Sequence, residues 1–212
     1  LAAGQGSRLK PLTDDKPKCM VEIKGRPIID RILDVMNEAG IRNSVIVNGH
    51  RRDVLERHLA DTKAVFYTNE NFSSTNMVST LFCAQRELAE DDIIVSYSDI
   101  IYSRAVLEKL IESNADISVV VDKDWRALWD LRMRNPLEDA ETMKISGDGD
   151  IIELGKRPGS FADIEGQYIG LLKFSKNVLP DVINFYASLD RNKLYDGKTF
   201  DQMYMTSFVQ EI

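Results

Sequence analysis

Short β-branched runs alternate with amphipathic helical segments along most of this 212-residue chain. Between Pro27 and Gly40, apolar residues recur every three to four positions, which predicts a helix bounded by those two residues. Strands are predicted at 44–48, 64–68, 93–101 and the run ISVVVDK ending at Lys123, and helices at 52–60, 76–88 and 104–113. Nearly continuous Ile and Val runs between helices are typical of parallel strands buried on both faces. The pattern therefore predicts a doubly wound α/β fold, in which helices sandwich a mostly parallel sheet.

The pattern changes at Asp124. A segment rich in Trp and Arg precedes two strand-like runs, MKIS and IIELGK, which the turn GDGD joins. These runs predict a small inserted hairpin region. The strand QYIGLLKFS and a helix at 178–189 then resume the earlier pattern. Because no repeat or linker divides the chain, residues 1–212 are interpreted as one domain. The opening LAAGQG is typical of a strand end followed by a loop, and the chain stops inside an apolar helical stretch, so both ends are interpreted as truncated.

Composition argues against several classes of protein. A net charge of −7 and a pI of about 5.0 disfavour a nucleic-acid-binding surface, which needs clustered Lys and Arg. Cys19 and Cys83 lie far apart without metal-ligand spacing, so reduced thiols are expected rather than a disulfide framework or a zinc site. No apolar run reaches the roughly 18 residues of a membrane-spanning helix, and no signal peptide opens the chain. We expect a cytoplasmic protein with no nucleic-acid or membrane partner; a homodimer is left open.

The first 18 residues, LAAGQGSRLKPLTDDKPK, combine a glycine-rich loop with fixed cations. Gly4 and Gly6 allow the backbone to approach a triphosphate and to turn its N–H groups towards it. Arg8 is suited to grip the outer phosphates, and Lys18 to act as a point charge near the α-phosphate. A Gly-x-Gly pair alone is usually a tight turn, and neither a third glycine nor a G-K-[ST] sequence follows. The chemistry is therefore predicted from the whole string.

That string resembles the signature of the sugar-phosphate and aminoalkyl-phosphate nucleotidyltransferases. Their pattern G-x-G-x-R-L-x-P-L-T-x-x-x-P-K runs unbroken from Gly4 to Lys18. The resemblance implies a Rossmann-like nucleotidyltransferase fold and one catalytic domain, with Lys18, Arg8 and Asp99 as catalytic residues. Residues predicted to bind the nucleotide are Leu1, Ala2, Ala3, Gly4, Gln5, Gly6, Ser7, Arg8, Asn48, Gly49, Asn76 and Ser98.

The same resemblance implies a magnesium site. In that family a strand ends in an aspartate that binds catalytic Mg²⁺, and Asp99 holds the matching place in IIVSYSDII. The family often has Gly before this aspartate, whereas Ser98 stands here. Without the resemblance, Asp99 could equally be a helix cap, a role for which Ser103 competes. A second carboxylate ligand is expected beyond Ile212, and hard-oxygen chemistry with phosphate substrates favours Mg²⁺.

The segment NENFSSTNMVSTLF, residues 69–82, bears on the choice of nucleotide. Sugar-nucleotide enzymes usually carry a Pro-x-Gly-x-Ala type of sequence here, whereas this segment resembles bacterial phosphocholine and aminoethylphosphonate cytidylyltransferases. The resemblance implies transfer of CMP from CTP to a small phosphorylated or phosphonate acceptor. Ser74 or Thr75 is interpreted as the cap of the following helix, and Asn76 as a substrate contact. The alternatives are a sugar-1-phosphate nucleotidyltransferase that uses UTP or dTTP, and a non-catalytic regulatory subunit, which would tend to lose the loop cations.

The stretch 122–170 resembles a subgroup that activates phosphorylated amide or amine compounds for capsule decoration. The residues predicted to bind the acceptor are Lys18, Lys156, Glu153, Trp125 and Gln167. In the wider family a lysine shortly after an acidic residue on this strand binds the acceptor phosphate, and Glu153 with Lys156 matches it. The alternative for that pair is a surface ion pair. Trp125 and Trp129 share a helix face, where they could enclose a cationic or amide group or pack in the core.

Overall fold

The computed structural model describes residues 1–88 and 91–212. Its α-helices are Ile28–Glu38 (α1), Arg52–His58 (α2), Met77–Phe82 (α3), Arg104–Glu112 (α4), Trp125–Arg132 (α5), Leu179–Ser188 (α6) and Met205–Glu211 (α7). Its strands are Glu22–Ile23 (β1), Arg26–Pro27 (β2), Val45–Asn48 (β3), Val65–Thr68 (β4), Ile93–Ser96 (β5), Ile117–Asp122 (β6), Met143–Ile145 (β7), Ile151–Leu154 (β8) and Gln167–Phe174 (β9). Strands and helices alternate as the sequence pattern predicts.

The first two residues lie between two groups of strands, β3–β4 on one side and β5 with its neighbours on the other, and hydrogen-bond to both. β3 and β4 are parallel, and Ala2 makes a parallel bridge to Asn48 at the end of β3. On the other side, the Leu1 nitrogen donates to the Ser96 carbonyl at 2.7 Å, and the Ser98 N–H donates to the Leu1 carbonyl. Leu1 and Ala2 therefore lie between β3 and β5, hydrogen-bonded to the ends of both strands. The loop that follows them starts at an edge where strands end.

β9 runs antiparallel to both of its neighbours, β5 and β6. The sequence pattern predicts a mostly parallel sheet, and the parallel part is the β3–β4 side with the first residues. Helices cover both faces, as neighbouring residues of β9 show. Leu172 packs with residues of α3, α6 and α7, while Leu171 packs with residues of α1 and α4. The α/β sandwich is confirmed, with a mixed sheet at its centre.

The inserted hairpin region is also confirmed. β7 and β8 pair antiparallel, and the hairpin contacts α7, where a carbonyl oxygen of the Gln210 side chain accepts from the Leu154 N–H at 2.6 Å. Gly155, with φ of +88°, lies against Thr206, and a Cβ there would come within 2.8 Å of the Thr206 Cβ. The absence of a side chain at Gly155 thus allows the hairpin to pack directly on α7.

Two predicted elements end earlier than the sequence indicates. β5 stops at Ser96 instead of continuing to Ile101, and the helix predicted at 76–88 is the shorter α3 followed by a 3₁₀ turn at 85–87. Ile100 nevertheless packs against the α1–α4 side of the core. The apolar run therefore reflects burial of a loop, which periodicity alone cannot distinguish from a strand.

No helix within residues 1–88 and 91–212 is long and apolar enough to cross a membrane.

Candidate active site

An open cleft of about 620 Å³ lies where the first loop, the segment after β5 and the start of α3 meet. Most residues predicted to bind nucleotide or metal line it: Leu1, Ala2, Ala3, Gly4, Gly6, Ser7, Arg8, Lys18, Asn76, Ser98 and Asp99. Sequence reasoning missed further lining residues, namely Leu9, Phe72, Met77, Thr80, Tyr97, Arg132 and Tyr204, and it placed Thr75 only as a cap. The fold thus brings together segments that are far apart in the chain.

The glycine-rich loop is held in shape by its own motif. Gly6 has φ 64° and ψ 34°, in the left-handed region that glycine adopts without strain. A Cβ at Gly6 would approach the Cβ of Lys18 and the Cγ2 of Thr13 to 3.0 Å each. The Thr13 hydroxyl, which is buried, donates to the Gly6 carbonyl at 2.9 Å. Thr13, to which the sequence analysis assigned no role, therefore fixes the loop against Lys18.

Lys18 and Asp99 form an ion pair on the wall of the cleft. Lys18 begins a 3₁₀ turn directly after Pro17, and Asp99 lies three residues beyond the end of β5. Their side chains are 33% and 29% exposed, so both remain accessible from the cleft. Within residues 1–88 and 91–212, Asp99 is the only acidic residue that lines it.

Two arginines add positive charge around the cleft. The side chain of Arg8 is 85% exposed, and its nearest carboxylate oxygen, on Asp139 of the inserted region, lies 3.9 Å away. Arg132, at the end of α5, stacks its guanidinium over the Trp129 ring at 5.1 Å from the ring centroid. Exposed guanidinium groups at a cleft are suited to bind phosphate oxygens in pairs. Arg8 and Lys18 come from the first 18 residues of the chain, and Arg132 comes from the end of α5.

Three residues predicted to bind the nucleotide do not line this cleft: Gln5, Asn48 and Gly49. The Asn48 side chain is fully buried, donates to Glu56 at 2.7 Å and accepts from the Thr68 hydroxyl at 2.9 Å. Its polar atoms are therefore used in hydrogen bonds inside the protein. Gly49 lies so close to the Ala3 carbonyl that a Cβ would come within 2.9 Å of that oxygen. Gly49 thus packs directly against the backbone of the first loop.

The residues predicted to bind the acceptor, apart from Lys18, also lie outside the lining. Glu153 accepts from the Lys156 ammonium at 3.0 Å on the exposed face of the hairpin, which is the surface ion pair of the alternative interpretation. Trp125 is 5% exposed and its ring meets that of Trp129 edge to face at 5.8 Å, which is core packing. Gln167 is buried and bonds to the backbone of Glu141.

The cap of α3 differs from the interpretation of the sequence. The Asn76 side chain accepts from the Met77 N–H at 3.0 Å, so Asn76 is the N-cap. Capping by Ser74 or Thr75 is wrong, because both hydroxyls donate to the Asn71 carbonyl in the preceding turn. Asn76 nevertheless lines the cleft. Its side-chain oxygen caps the helix, and the rest of the residue forms part of the opening.

Residues 1–179 match the model of the MobA-like NTP transferase domain. The chain belongs to this family. It is 48% identical to CTP:phosphoglutamine cytidylyltransferase of Campylobacter jejuni over all of this chain and 86% of that protein. It is also 29% identical to choline-phosphate cytidylyltransferase of Streptococcus pneumoniae, over 44% of this chain and 41% of that protein. These matches show that the NTP transferase domain is an enzyme of the nucleotidyltransferase class.

Solved structures agree with this NTP transferase fold. An inositol-1-phosphate CTP transferase from T. maritima superposes with a TM-score of 0.72 at 18% identity, covering 99% of this chain and 78% of that chain. A CTP:phosphocholine cytidylyltransferase from Streptococcus pneumoniae gives a TM-score of 0.63 at 15% identity, covering 99% and 82%. At such identities the likeness establishes the fold alone.

Proposed function

We propose that this enzyme transfers CMP from CTP to a small phosphorylated acceptor and releases pyrophosphate. The observation that carries the proposal is the meeting of the glycine-rich loop, Lys18 and Asp99 at one cleft. Similarity over the whole chain to a relative named for CTP and phosphoglutamine supports both substrates. The reaction would take place in the cytoplasm, where CTP is available.

The reaction needs little covalent chemistry from the protein. An oxygen of the acceptor phosphate attacks the α-phosphorus of CTP and forms a new P–O bond, while the bond from that phosphorus to the bridging oxygen breaks. Pyrophosphate carries away the electron pair. Because the attacking oxygen is already ionised near neutral pH, no general base is needed. Catalysis then depends on positioning and on stabilisation of charge.

Each cation of the cleft has a place in this scheme. Lys18, held beside Gly6, would stabilise charge that builds up at the α-phosphate. Arg8 is exposed enough to grip the β- and γ-phosphates, with N–H groups of the loop at Gly4 to Ser7. These contacts hold the leaving pyrophosphate in line with the attacking oxygen. We assign Arg132, the further cation that lines the cleft, to the acceptor phosphate.

The donor set suits Mg²⁺. Protein sites for this ion often supply one or two carboxylates and leave the remaining positions to water and substrate phosphates. Asp99 provides one such oxygen pair at the cleft, and the residues described contain no group of three or more candidate ligands. Bound there, Mg²⁺ would neutralise phosphate charge and polarise the α-phosphate. A cation on Asp99 would also compete with Lys18 for the same carboxylate, which would free the ammonium for the substrate.

A nucleotide screen tests the proposal. Pyrophosphate release would be measured with CTP, UTP, dTTP, ATP and GTP, each with phosphoglutamine, phosphocholine and glucose 1-phosphate. We expect turnover with CTP and a nitrogen-containing phospho-acceptor. Equal or faster turnover with UTP or dTTP and glucose 1-phosphate would replace the proposal with a sugar-nucleotide activity.

A further inference from the structure

A cluster of buried polar side chains lies behind the wall of the cleft. It consists of Glu141, which follows the α5 segment, Tyr168 on β9 and Thr206 on α7. Glu141 is held through its backbone, because the Gln167 side chain donates to its carbonyl at 2.6 Å and accepts from its N–H at 3.0 Å. This clamp fixes the residue without using the carboxylate. The Glu141 carboxylate takes no part in these two hydrogen bonds.

Two hydroxyl groups of the cluster have unused hydrogen-bonding capacity. The Tyr168 and Thr206 hydroxyl oxygens are buried, and neither makes a hydrogen bond of good geometry to a described residue, although Thr206 lies beside the Glu141 carboxyl and Tyr168 beside the Tyr97 hydroxyl. Thr206 is only 4% exposed, and its side chain lies near Glu141, where it favours the charged form of that carboxyl. Buried polar groups are paired in the great majority of cases, and an unpaired group calls for an explanation. A ligand bound beside these hydroxyls would supply such partners.

The cluster is one side chain away from the open cleft. Tyr97, which lines the cleft, packs its ring edge to face against Tyr168 at 5.8 Å. Its ring lies on Gly170, where a Cβ would come within 2.6 Å of the ring carbon Cδ2. On the other side, Tyr204 lines the cleft and is the N-cap residue of the helix that carries Thr206. The cluster thus adjoins the cleft on the side of Asp99.

The local charge favours a cation. Glu141 forms no ion pair within residues 1–88 and 91–212. Its pKa is raised to about 7, mainly by burial, and the nearby carboxylates of Asp196 and Asp139 contribute to the increase. A carboxyl that titrates near neutral pH takes up its charge readily when a cationic group binds beside it. An ammonium ion is such a group, and it also supplies hydrogen-bond donors.

We propose that Glu141, Tyr168 and Thr206 bind the ammonium end of the acceptor and so determine its specificity. The ammonium group donates to the Glu141 carboxylate, and the two hydroxyls donate to the carboxylate that an α-amino acid carries next to its ammonium group. Gln167 acts as a positioning residue for Glu141. The proposal rests on the proposed function, because the ammonium group is at the far end of the acceptor whose phosphate attacks CTP in the cleft.

Binding measurements test this without turnover. Calorimetry would be done with CTP and EDTA, using phosphoglutamine and its N-acetyl derivative, which lacks the ammonium group. We expect the unmodified protein to bind phosphoglutamine at least about 10-fold more tightly than the derivative, the scale of one hydrogen bond to a charged group. Glu141→Gln should bring that ratio close to one and leave CTP affinity unchanged. The matched control Glu112→Gln, on the exposed end of α4, should keep the full ratio.

Tyr168→Phe and Thr206→Val provide the second line of evidence if Glu141→Gln fails to fold. Each should weaken phosphoglutamine binding by roughly 3- to 10-fold, with KM affected and kcat nearly constant. An unchanged preference for the ammonium compound in Glu141→Gln, or no preference in the unmodified protein, would overturn the proposal. Failure of the proposed function has a different signature, namely no pyrophosphate release from CTP with any acceptor, and it leaves the binding ratio readable.

Discussion

Lys18 and Asp99, which lie 81 residues apart in the sequence, form an ion pair on the wall of the cleft. The pair joins the first loop to the segment after β5, the two parts of the chain that carry the charges proposed to act in nucleotidyl transfer. Each residue holds the other in place without substrate. Under the proposed function, CTP and a divalent cation would offer both side chains stronger partners, and the pair would keep the site ordered until they bind.

Lys18→Ala should lower kcat by roughly 10²- to 10³-fold, the scale for removal of one oriented donor from a transition state. The fold should survive, because alanine keeps the Cβ that contacts Gly6. Steady-state kinetics with CTP and the acceptor measure the loss, and circular dichroism checks the fold. Lys109→Ala, on the surface of α4, is the control and should behave like the unmodified enzyme. A near-normal kcat in Lys18→Ala would remove this residue from catalysis.

Asp99→Asn should reduce magnesium-dependent turnover by about 10³-fold, because a metal ion contributes several kcal/mol of charge stabilisation. CTP binding in EDTA should be nearly unchanged, since the loop N–H groups and Arg8 remain. A magnesium titration of kcat and calorimetry with CTP give the two measurements. The exposed Asp61→Asn serves as control. If the variant keeps its magnesium dependence, the ion is held elsewhere.

The part of the site that could be predicted from the sequence is the part that is contiguous. Gly4 to Lys18 form the loop within one short segment, and Asp99 follows a recognisable apolar strand. The other cleft residues, such as Tyr97, Arg132 and Tyr204, carry no local signal, because their role depends on distant segments meeting. The same holds for Gln167, which was predicted to bind the acceptor and instead clamps the backbone of Glu141.

The fold shows the same division between local features, which the sequence predicts, and long-range features, which it does not. Alternating strands and helices are local patterns, and they were predicted well. The antiparallel direction of β9 is a long-range property, because it depends on how the chain returns to the sheet after β8 and not on the residues of the strand itself. Likewise, Ile100 is buried although β5 has ended at Ser96, so the apolar run extends past the strand.

Gly49→Ala should destabilise the part of the cleft wall that Ala3 and Phe72 form. A Cβ there would lie 2.7 Å from the Phe72 Cβ and 2.9 Å from the Ala3 carbonyl oxygen, and backbone cannot move aside easily. We expect a loss of about 1–3 kcal/mol in the free energy of unfolding and a higher KM for CTP, because Ala3 and Phe72 both line the cleft. Denaturant melts and kinetics measure the two effects. Gly147→Ala, which meets nothing within 4 Å, should change neither.

Glu141 should make the stability of the enzyme depend on pH. Burial raises its pKa from 4.5 to about 7, so the folded state binds this proton more tightly than the unfolded chain does. Its contribution to stability is therefore fully present below about pH 4.5, is lost as the pH rises through 7, and stays lost above that value. The shift corresponds to about 3 kcal/mol, as an order of magnitude.

Glu141→Gln tests this sign, because it keeps the shape of the side chain and removes its titration. At pH 8 the variant should be more stable than the unmodified protein, with a melting temperature higher by roughly 5 °C or more. At pH 5 the difference should largely vanish, since the glutamate is then protonated in the folded state. Melting curves between these values measure the effect, with Glu112→Gln as the control that should follow the unmodified protein. Parallel curves for Glu141→Gln and the unmodified protein would contradict a raised pKa. A variant that gains stability while losing its preference for the ammonium compound would show that this buried carboxyl is kept for binding at the expense of stability.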